Sequence, residues 1–78
     1  MSTKKEKILF QLRPADEYIQ LIQLLKATNV VYNGADAQMV VSEGMVLRNG
    51  EVELRKRAKL FPGDVIEFQN FEITVAKG

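Results

Sequence analysis

The strongest local constraint in the sequence is a two-residue turn in its second half. Residues 45–48 and residues 51–54 both have a strand-like composition, and Asn49-Gly50 separates them. Asn and Gly tolerate the positive φ angles that a type I′ turn needs at both of its central positions. The sequence therefore predicts a β-hairpin here, and any fold of the chain has to contain it.

One strand and one helix are predicted before the hairpin. Apolar side chains occupy every second position of residues 7–12, which indicates a strand with one buried face, and Pro14 ends it. Asp16 is a suitable N-cap for a first helix that runs to about Ala27. Tyr18 falls on the apolar stripe of that helix, so we expect its ring in the core.

A second helix and further strands complete the pattern. Asn33 is the N-cap candidate of a short helix that runs to Glu43, and Gly44 stops it because glycine accepts the left-handed conformation of a helix end. After the hairpin, residues 65–68 and residues 71–75 have the pattern of two more strands. The expected fold is an α+β domain, in which two consecutive helices pack on a small, mostly antiparallel β-sheet.

Two residue types are absent, and their absence limits the chemistry. The 78 residues include no Cys and no His. A disulfide framework, a zinc site with its usual ligands and a Ser-His or Cys-His nucleophile pair are therefore not expected. The ten acidic residues are scattered, and a domain of this size rarely encloses a deep cleft. We expect no enzyme activity, no metal site, no cofactor and no small-molecule substrate.

Length and hydropathy predict one domain over residues 1–78. No apolar run reaches the roughly 18 residues that a membrane helix needs, and no signal-peptide core follows the basic N-terminus. A chain without Cys suits the reducing cytoplasm. The polar residues 1–6 are expected to be mobile. The lysines within residues 4–7 form a solvated tail or, alternatively, a flexible basic arm.

Positive charge is concentrated in one short segment. Residues 48–59 contain five basic and two acidic side chains, a balance of +3, whereas the whole chain carries +1 and the remainder therefore −2. Such a segment on an otherwise neutral body is typical of a phosphate-binding patch. A solvated surface run or a charged sheet edge that discourages aggregation is the alternative. The five basic residues are Arg48, Arg55, Lys56, Arg57 and Lys59.

The order of the motifs resembles a known family. Two consecutive helices, a glycine, a Val-x-x-Asn-Gly hairpin and a later Gly-Asp before a strand are similar to the S-four-type RNA-binding domain, also called the αL motif. The resemblance is clearest over residues 18–68 and extends loosely over the whole chain. The matching residues are Leu24, Leu25, Lys26, Gly34, Ala35, Ala37, Glu43, Gly44, Val46, Asn49, Gly50, Gly63 and Asp64.

A narrower resemblance points to small bacterial proteins that consist of one S-four-like domain. It includes the stretch Glu-x-Arg-Lys-Arg-x-Lys, which is residues 53–59 here. The resemblance implies a non-enzymatic protein that binds structured RNA, either ribosomal or transfer RNA, and that associates with the ribosome. Phosphate contacts are then expected from the basic segment, with two further cations at its margin. These RNA-binding candidates are Arg55, Lys56, Arg57 and Lys59, with Arg48 and Lys26 at the margin.

Several alternatives remain open at this level. Arg48 is either a phosphate contact or a cross-strand partner of Glu51 or Glu53. Lys26 ends the first helix, where a cation suits the helix dipole, so it has a capping role beside the RNA role. The domain as a whole has a second interpretation as a protein-interaction module that docks an acidic partner on the same basic face.

Aromatic residues and one departure from the family pattern complete the expectations. Tyr32 lies in the linker between the helices and is the better candidate for base stacking, whereas Phe61 is expected in the core. Many members of the resembled family carry a basic pair at the start of the second helix. Ala35 and Asp36 occupy that place here, which weakens any RNA contact from this helix.

Overall fold

The computed structural model describes residues 5–78, in which the first strand is followed by two helices and then by most of the sheet. A very short strand also precedes the first helix. The elements in chain order are β1 (Glu6–Gln11), β2 (Ile19–Gln20), α1 (Leu21–Ala27), α2 (Gly34–Ser42), β3 (Val46–Arg48), β4 (Glu51–Val52), β5 (Lys59–Leu60), β6 (Val65–Phe68) and β7 (Phe71–Ala76).

The main sheet has the strand order β1-β7-β6-β3-β4. The pairs β7–β6, β6–β3 and β3–β4 are antiparallel, and β1 runs parallel to β7 over its whole length. The parallel pair is possible because the helices and the later strands lie between β1 and β7 in the chain and carry it back across the sheet. The prediction of two consecutive helices with a mostly antiparallel sheet is confirmed.

One apolar cluster joins the helices to the sheet. Both helices bury their apolar side chains against the inward positions of β3, β6 and β7. Each fully buried aliphatic side chain contributes roughly 1.5–3 kcal/mol through its removal from water. The buried helix residues are Leu21, Ile22, Leu24, Leu25, Ala37, Val40 and Val41, and those of the sheet are Val46, Ile66, Phe68, Ile73 and Val75.

The predicted start of the first helix is wrong. Helix α1 begins at Leu21, and its N-cap position is held by Gln20, whose side chain makes no capping hydrogen bond. Asp16 instead accepts a hydrogen bond from Arg13 Nε at 3.0 Å. Tyr18 lies before the helix and its side chain is exposed, so the prediction that it belongs to the core is also wrong.

The late start of α1 has a physical cause in the later part of the chain. Ile19 pairs with Leu60 in the short antiparallel ladder of β2 and β5. The first backbone N–H groups of a helix need partners, and here Leu21 donates to the carbonyl of Ala58 at 2.9 Å. Pairing with β5 therefore keeps Ile19 and Gln20 in a strand, and the helical turns that periodicity predicted before Leu21 do not form.

The second helix and the hairpin agree with their predictions. Asn33 caps α2, since its side-chain oxygen accepts the N–H of Asp36 at 2.9 Å. Gly44 follows the helix with φ +73°, as its stop signal predicted. Asn49 has φ 51° and Gly50 has φ 88°, which are the positive angles that a type I′ turn requires between β3 and β4.

The N-terminal prediction is only partly within the described residues. Residues 1–4 lie outside them, whereas Glu6 belongs to β1. Lys5 forms an ion pair with Glu67 of β6. In residues 5–78, no helix has both the length and the apolar character needed to cross a bilayer.

Candidate nucleic-acid interface

Residues 53–59, here called the basic loop, run from the end of β4 to the first residue of β5. Ala58 is buried, and its carbonyl accepts the N–H of Leu21, while the carbonyl of Lys56 accepts the N–H of Ile22 at 3.2 Å. The loop backbone is thereby fixed to the N-terminus of α1. Five side chains of the loop are exposed, and apart from Leu54 all of them are basic: Arg55, Lys56, Arg57 and Lys59.

The carboxylate of Glu53 organises the start of the basic loop. It accepts the backbone N–H of Arg55 at 3.1 Å, Arg55 Nε at 3.1 Å and Arg55 Nη2 at 3.2 Å. Arg48 Nη1 donates to the same carboxylate at 3.4 Å. The hydrogen bonds from the Arg55 guanidinium lower the pKa of Glu53 from 4.5 to about 2, although burial acts in the opposite direction. Glu53 is therefore an ionised, buried anchor.

Arg48 holds the other end of the basic loop. Its Nη2 atom donates to the carbonyl of Lys59 at 2.9 Å and to Asp64 Oδ2 at 2.9 Å. Asp64 also accepts the backbone N–H of Phe61 at 2.8 Å and Asn49 Nδ2 at 3.1 Å. Burial alone would raise the pKa of Asp64, but these hydrogen bonds outweigh the effect of burial, so the pKa lies below its ordinary value. The sequence left Arg48 as either a phosphate contact or a partner of Glu51 or Glu53, and the structure contains its contact with Glu53.

The cations of the basic loop divide into paired and uncompensated ones. Arg55 is paired with Glu53, whereas the ion pairs found within residues 5–78 do not include Lys56, Arg57 or Lys59. The Lys59 ammonium lies 5.0 Å from the ring centroid of Tyr18, at cation–π distance. Three positive charges of the loop thus face solvent without a carboxylate partner.

Four of the six predicted RNA-binding residues surround one open depression of about 550 Å³. The residues that line the depression are Arg48, Arg55, Arg57, Ala58, Lys59 and Phe61. Lys56 belongs to the same loop but does not line it.

Lys26 lies apart from the other candidates. It is in the last turn of α1, whereas the basic loop contacts the first turn of that helix. Its Nζ atom is 4.0 Å from the position that a Cβ atom would take on Gly34, at the start of α2. This place in the last turn suits the capping alternative, because a cation there interacts favourably with the helix dipole.

The sequence analysis missed the residues that position the cations, and it placed Tyr18 and Phe61 in the core although both are exposed. Glu53 and Asp64 were not recognised as anchors, although an acid two residues before Arg55 in a basic run is a local signal for such a pair. Phe61 was expected in the core, yet its side chain is exposed and its ring lies 5.9 Å from that of Tyr18. Tyr32, the better of the two candidates for base stacking, is almost fully exposed.

Comparisons with known proteins identify related chains of similar length. The Escherichia coli K-12 protein named "Putative RNA-binding protein YbcJ" is 34% identical over 58 residues, which cover 74% of this chain and 83% of YbcJ. The Bacillus subtilis 168 protein named "Probable ribosome maturation protein RlbA" is 42% identical over 55 residues, which cover 70% of this chain and 78% of RlbA.

A solved structure confirms the fold. The solution structure of E. coli YbcJ, described as revealing an αL motif involved in RNA binding, has a TM-score of 0.69 and 29% identity, and the match covers 97% of this chain and 95% of that one. The family model for the S4 domain matches residues 10–76. This family is one of RNA-binding domains and is not an enzyme family. The predicted resemblance is confirmed: the chain belongs to the S4 domain family.

Proposed function

We propose that this protein binds structured RNA, ribosomal or transfer RNA, through the basic loop, and that it acts in the cytoplasm without catalysing a reaction. The observation that carries the proposal is the set of three uncompensated cations, Lys56, Arg57 and Lys59, on a loop whose backbone is fixed by the fold. RNA carries one negative charge for each nucleotide, so a rigid cluster of free cations matches its backbone.

Each cation of the basic loop has its own part in the proposed contact. Arg57 offers an exposed guanidinium, whose planar fork can bind two oxygens of one phosphate. Lys56 and Lys59 add point charges on either side of it in the chain. Arg55 keeps a largely exposed guanidinium that Glu53 holds in one direction, so it binds a phosphate with little loss of side-chain freedom.

Two candidates contribute at the margin of the site. Arg48 lines the depression but is half-buried and bonded to Glu53 and Asp64, so it adds positive potential and holds the loop in place. Lys26 lies toward the start of α2 and would contact RNA only where the ligand extends beyond the basic loop. Direct phosphate contacts are therefore assigned mainly to the loop residues.

The related proteins support RNA as the ligand and the ribosome as its setting. YbcJ is named as an RNA-binding protein and RlbA as a ribosome maturation protein. The proposed contacts are phosphate contacts, which fix position and carry no base sequence by themselves. Side chains cannot read bases in the major groove of A-form RNA, because that groove is too narrow. Phosphate contacts of this kind would therefore recognise helical RNA by its shape.

An anisotropy titration with structured ribosomal or transfer RNA at several salt concentrations tests the proposal. If about four phosphates are neutralised, the slope of log K against log salt is about −3 for the unmodified protein. Lys56→Gln and Arg57→Gln should each reduce that slope by about 1. Lys7→Gln removes the same charge from β1, at the opposite edge of the sheet, and should leave the slope unchanged.

The outcomes separate the proposal from its competitors. A lower slope for Lys7→Gln as well would show that the N-terminal lysines act as a basic arm. No salt-dependent binding by the folded protein at low salt would contradict the RNA proposal. An acidic partner protein would then become the leading hypothesis, and such a partner should bind the unmodified protein but not Arg57→Gln.

A further inference from the structure

Two aromatic rings lie exposed beside the uncompensated cations. Phe61 is 45% exposed and Tyr18 is 38% exposed. Their ring centroids are 5.9 Å apart and their planes are inclined by 50°, so they form one tilted pair. Phe61 also lines the depression that Arg57 and Lys59 line. Phe side chains are usually buried in the core, so core packing does not explain a Phe ring that is exposed next to free cations.

The backbone of Phe61 is held in a fixed position at this surface. Its N–H donates to Asp64 Oδ2 at 2.8 Å, and the N–H of Asp64 returns to the carbonyl of Phe61 at 3.0 Å. Pro62 restricts the turn between them, and Gly63 supplies the positive φ angle of +100° that the turn needs. Ordering of the backbone therefore adds little to the free-energy cost of covering the ring with a flat ligand.

Lys59 links the aromatic pair to the cation set. Its ammonium lies over the ring of Tyr18, so one part of that ring is already in contact with a cation. Phe61 has no such contact in the described residues and offers the more open ring surface. The pair therefore has one supporting ring, Tyr18, and one ring available to a ligand, Phe61.

We propose that Phe61 is a stacking surface for one unpaired nucleobase, that Tyr18 supports it, and that Arg57 and Lys59 bind the phosphates on either side of that base. The inference rests on the proposed function and narrows the ligand to RNA with an unpaired nucleotide in a loop, a bulge or an end. Bases inside a continuous helix are stacked on each other, whereas an unpaired base can stack on an aromatic ring.

The test compares two blunt-ended duplex RNAs that differ by one phosphate, one with a single bulged nucleotide and one without it. Phe61→Leu keeps an apolar side chain of similar size and removes the ring. It should weaken binding of the bulged RNA roughly 5- to 100-fold, which corresponds to the loss of one stacked base. It should change binding of the duplex less than about twofold and leave the salt slope of both near that of the unmodified protein.

A direct readout of stacking comes from 2-aminopurine at the bulged position. Its fluorescence should be quenched on binding to the unmodified protein and to Phe61→Trp, and not on binding to Phe61→Leu. Tyr32→Leu removes an exposed aromatic residue outside this pair, which is 97% exposed in the linker between the helices. If Tyr32→Leu, and not Phe61→Leu, abolishes the quenching, the assignment to Phe61 is overturned.

The results distinguish this inference from the proposed function. If the unmodified protein binds both RNAs with a slope near −3 and Phe61→Leu changes neither, only the stacking inference fails. If Phe61→Leu weakens both RNAs equally while circular dichroism shows an intact fold, the ring contributes without reading an unpaired base, which also overturns the inference. If neither RNA binds the unmodified protein, both proposals fail together.

Discussion

The carboxylate of Glu53 accepts three hydrogen bonds from Arg55, one from the backbone and two from the guanidinium. The Glu53 side chain is 10% exposed, whereas that of Arg55 is 75% exposed, so the pair joins the interior of the fold to its most basic surface. A buried carboxylate thereby sets the direction of a surface cation before any ligand is bound.

Glu53→Gln should destabilise the protein by about 1–3 kcal/mol. The amide keeps the shape of the side chain but has one acceptor oxygen in place of two, and its NH₂ group would face the donors of Arg55 and Arg48. Urea unfolding followed by circular dichroism measures the loss. Glu51→Gln, at an exposed position of β4, is the matched control and should change the free energy of unfolding by less than about 0.5 kcal/mol. Equal effects of the two variants would show that the buried contacts of Glu53 are not stabilising.

The same carboxylate makes stability depend on acid pH. Hydrogen bonds from the side chain of Arg55 keep the pKa of Glu53 at about 2 in the folded protein, against 4.5 ordinarily. The unfolded chain therefore binds a proton first as the pH falls. The contribution of Glu53 is fully present above about pH 4.5 and is lost progressively between pH 4.5 and pH 2. Its full size is at most about 3 kcal/mol, since solvent screens the exposed partner.

Urea unfolding at pH 6 and at pH 2.5 checks this dependence. The stability difference between the unmodified protein and Glu53→Gln should be largest at pH 6 and should shrink strongly at pH 2.5. The pKa of Asp64 is also lowered, but Asp64 is present in both proteins, so its titration largely cancels in the difference. A difference that stays constant over this range would contradict the lowered pKa of Glu53.

Elements that depend on neighbouring residues were predictable from the sequence. The turn at Asn49-Gly50, the cap at Asn33 and the stop at Gly44 each need only a few adjacent residues, and all three occur where the pattern placed them. The start of α1 was not predictable in this way. It depends on Ile19 pairing with Leu60, about forty residues away in the chain, and periodicity carries no information about such a contact.

The functional surface shows the same division. The run from Arg55 to Lys59 is evident in the sequence, but its division into paired and free cations depends on where Glu53 and Asp64 lie in the fold. Alternation suggests that glutamates of a hairpin strand face solvent. The structure instead buries Glu53 and exposes Leu54, because the N–H of Glu53 still donates to the carbonyl of Val46 at 3.0 Å and Glu53 therefore lies opposite a buried residue of β3.

Two glycines should respond in opposite directions to replacement by alanine. Gly50→Ala should destabilise the protein by about 1 kcal/mol or more, because φ is +88° there and an L side chain is strained in that conformation. Gly34→Ala should stabilise it by up to about 1 kcal/mol, because Gly34 lies in α2 and a Cβ atom there meets only Lys26 Nζ at 4.0 Å. Thermal unfolding of the two variants gives the comparison, and shifts of the same sign would contradict the assigned backbone conformations.

Asp64 should be coupled energetically to Arg48. Asp64→Asn retains one oxygen for the N–H of Phe61 but removes the charge that pairs with Arg48 Nη2 at 2.9 Å, and the expected loss is about 1–3 kcal/mol. Asp16→Asn breaks a surface pair with Arg13 and is the matched control, with an expected change of at most about 1 kcal/mol.

A double-mutant cycle measures this coupling directly. Once Asp64→Asn has removed the charge partner, Arg48→Gln has less left to lose, so the double variant should be less destabilised than the sum of the two single variants, by about 0.5–3 kcal/mol. Arg48 also donates to the carbonyl of Lys59, so loss of either anchor should loosen the basic loop and increase amide exchange there. Strictly additive losses with unchanged exchange would mean that the loop is held by its contacts with α1 alone.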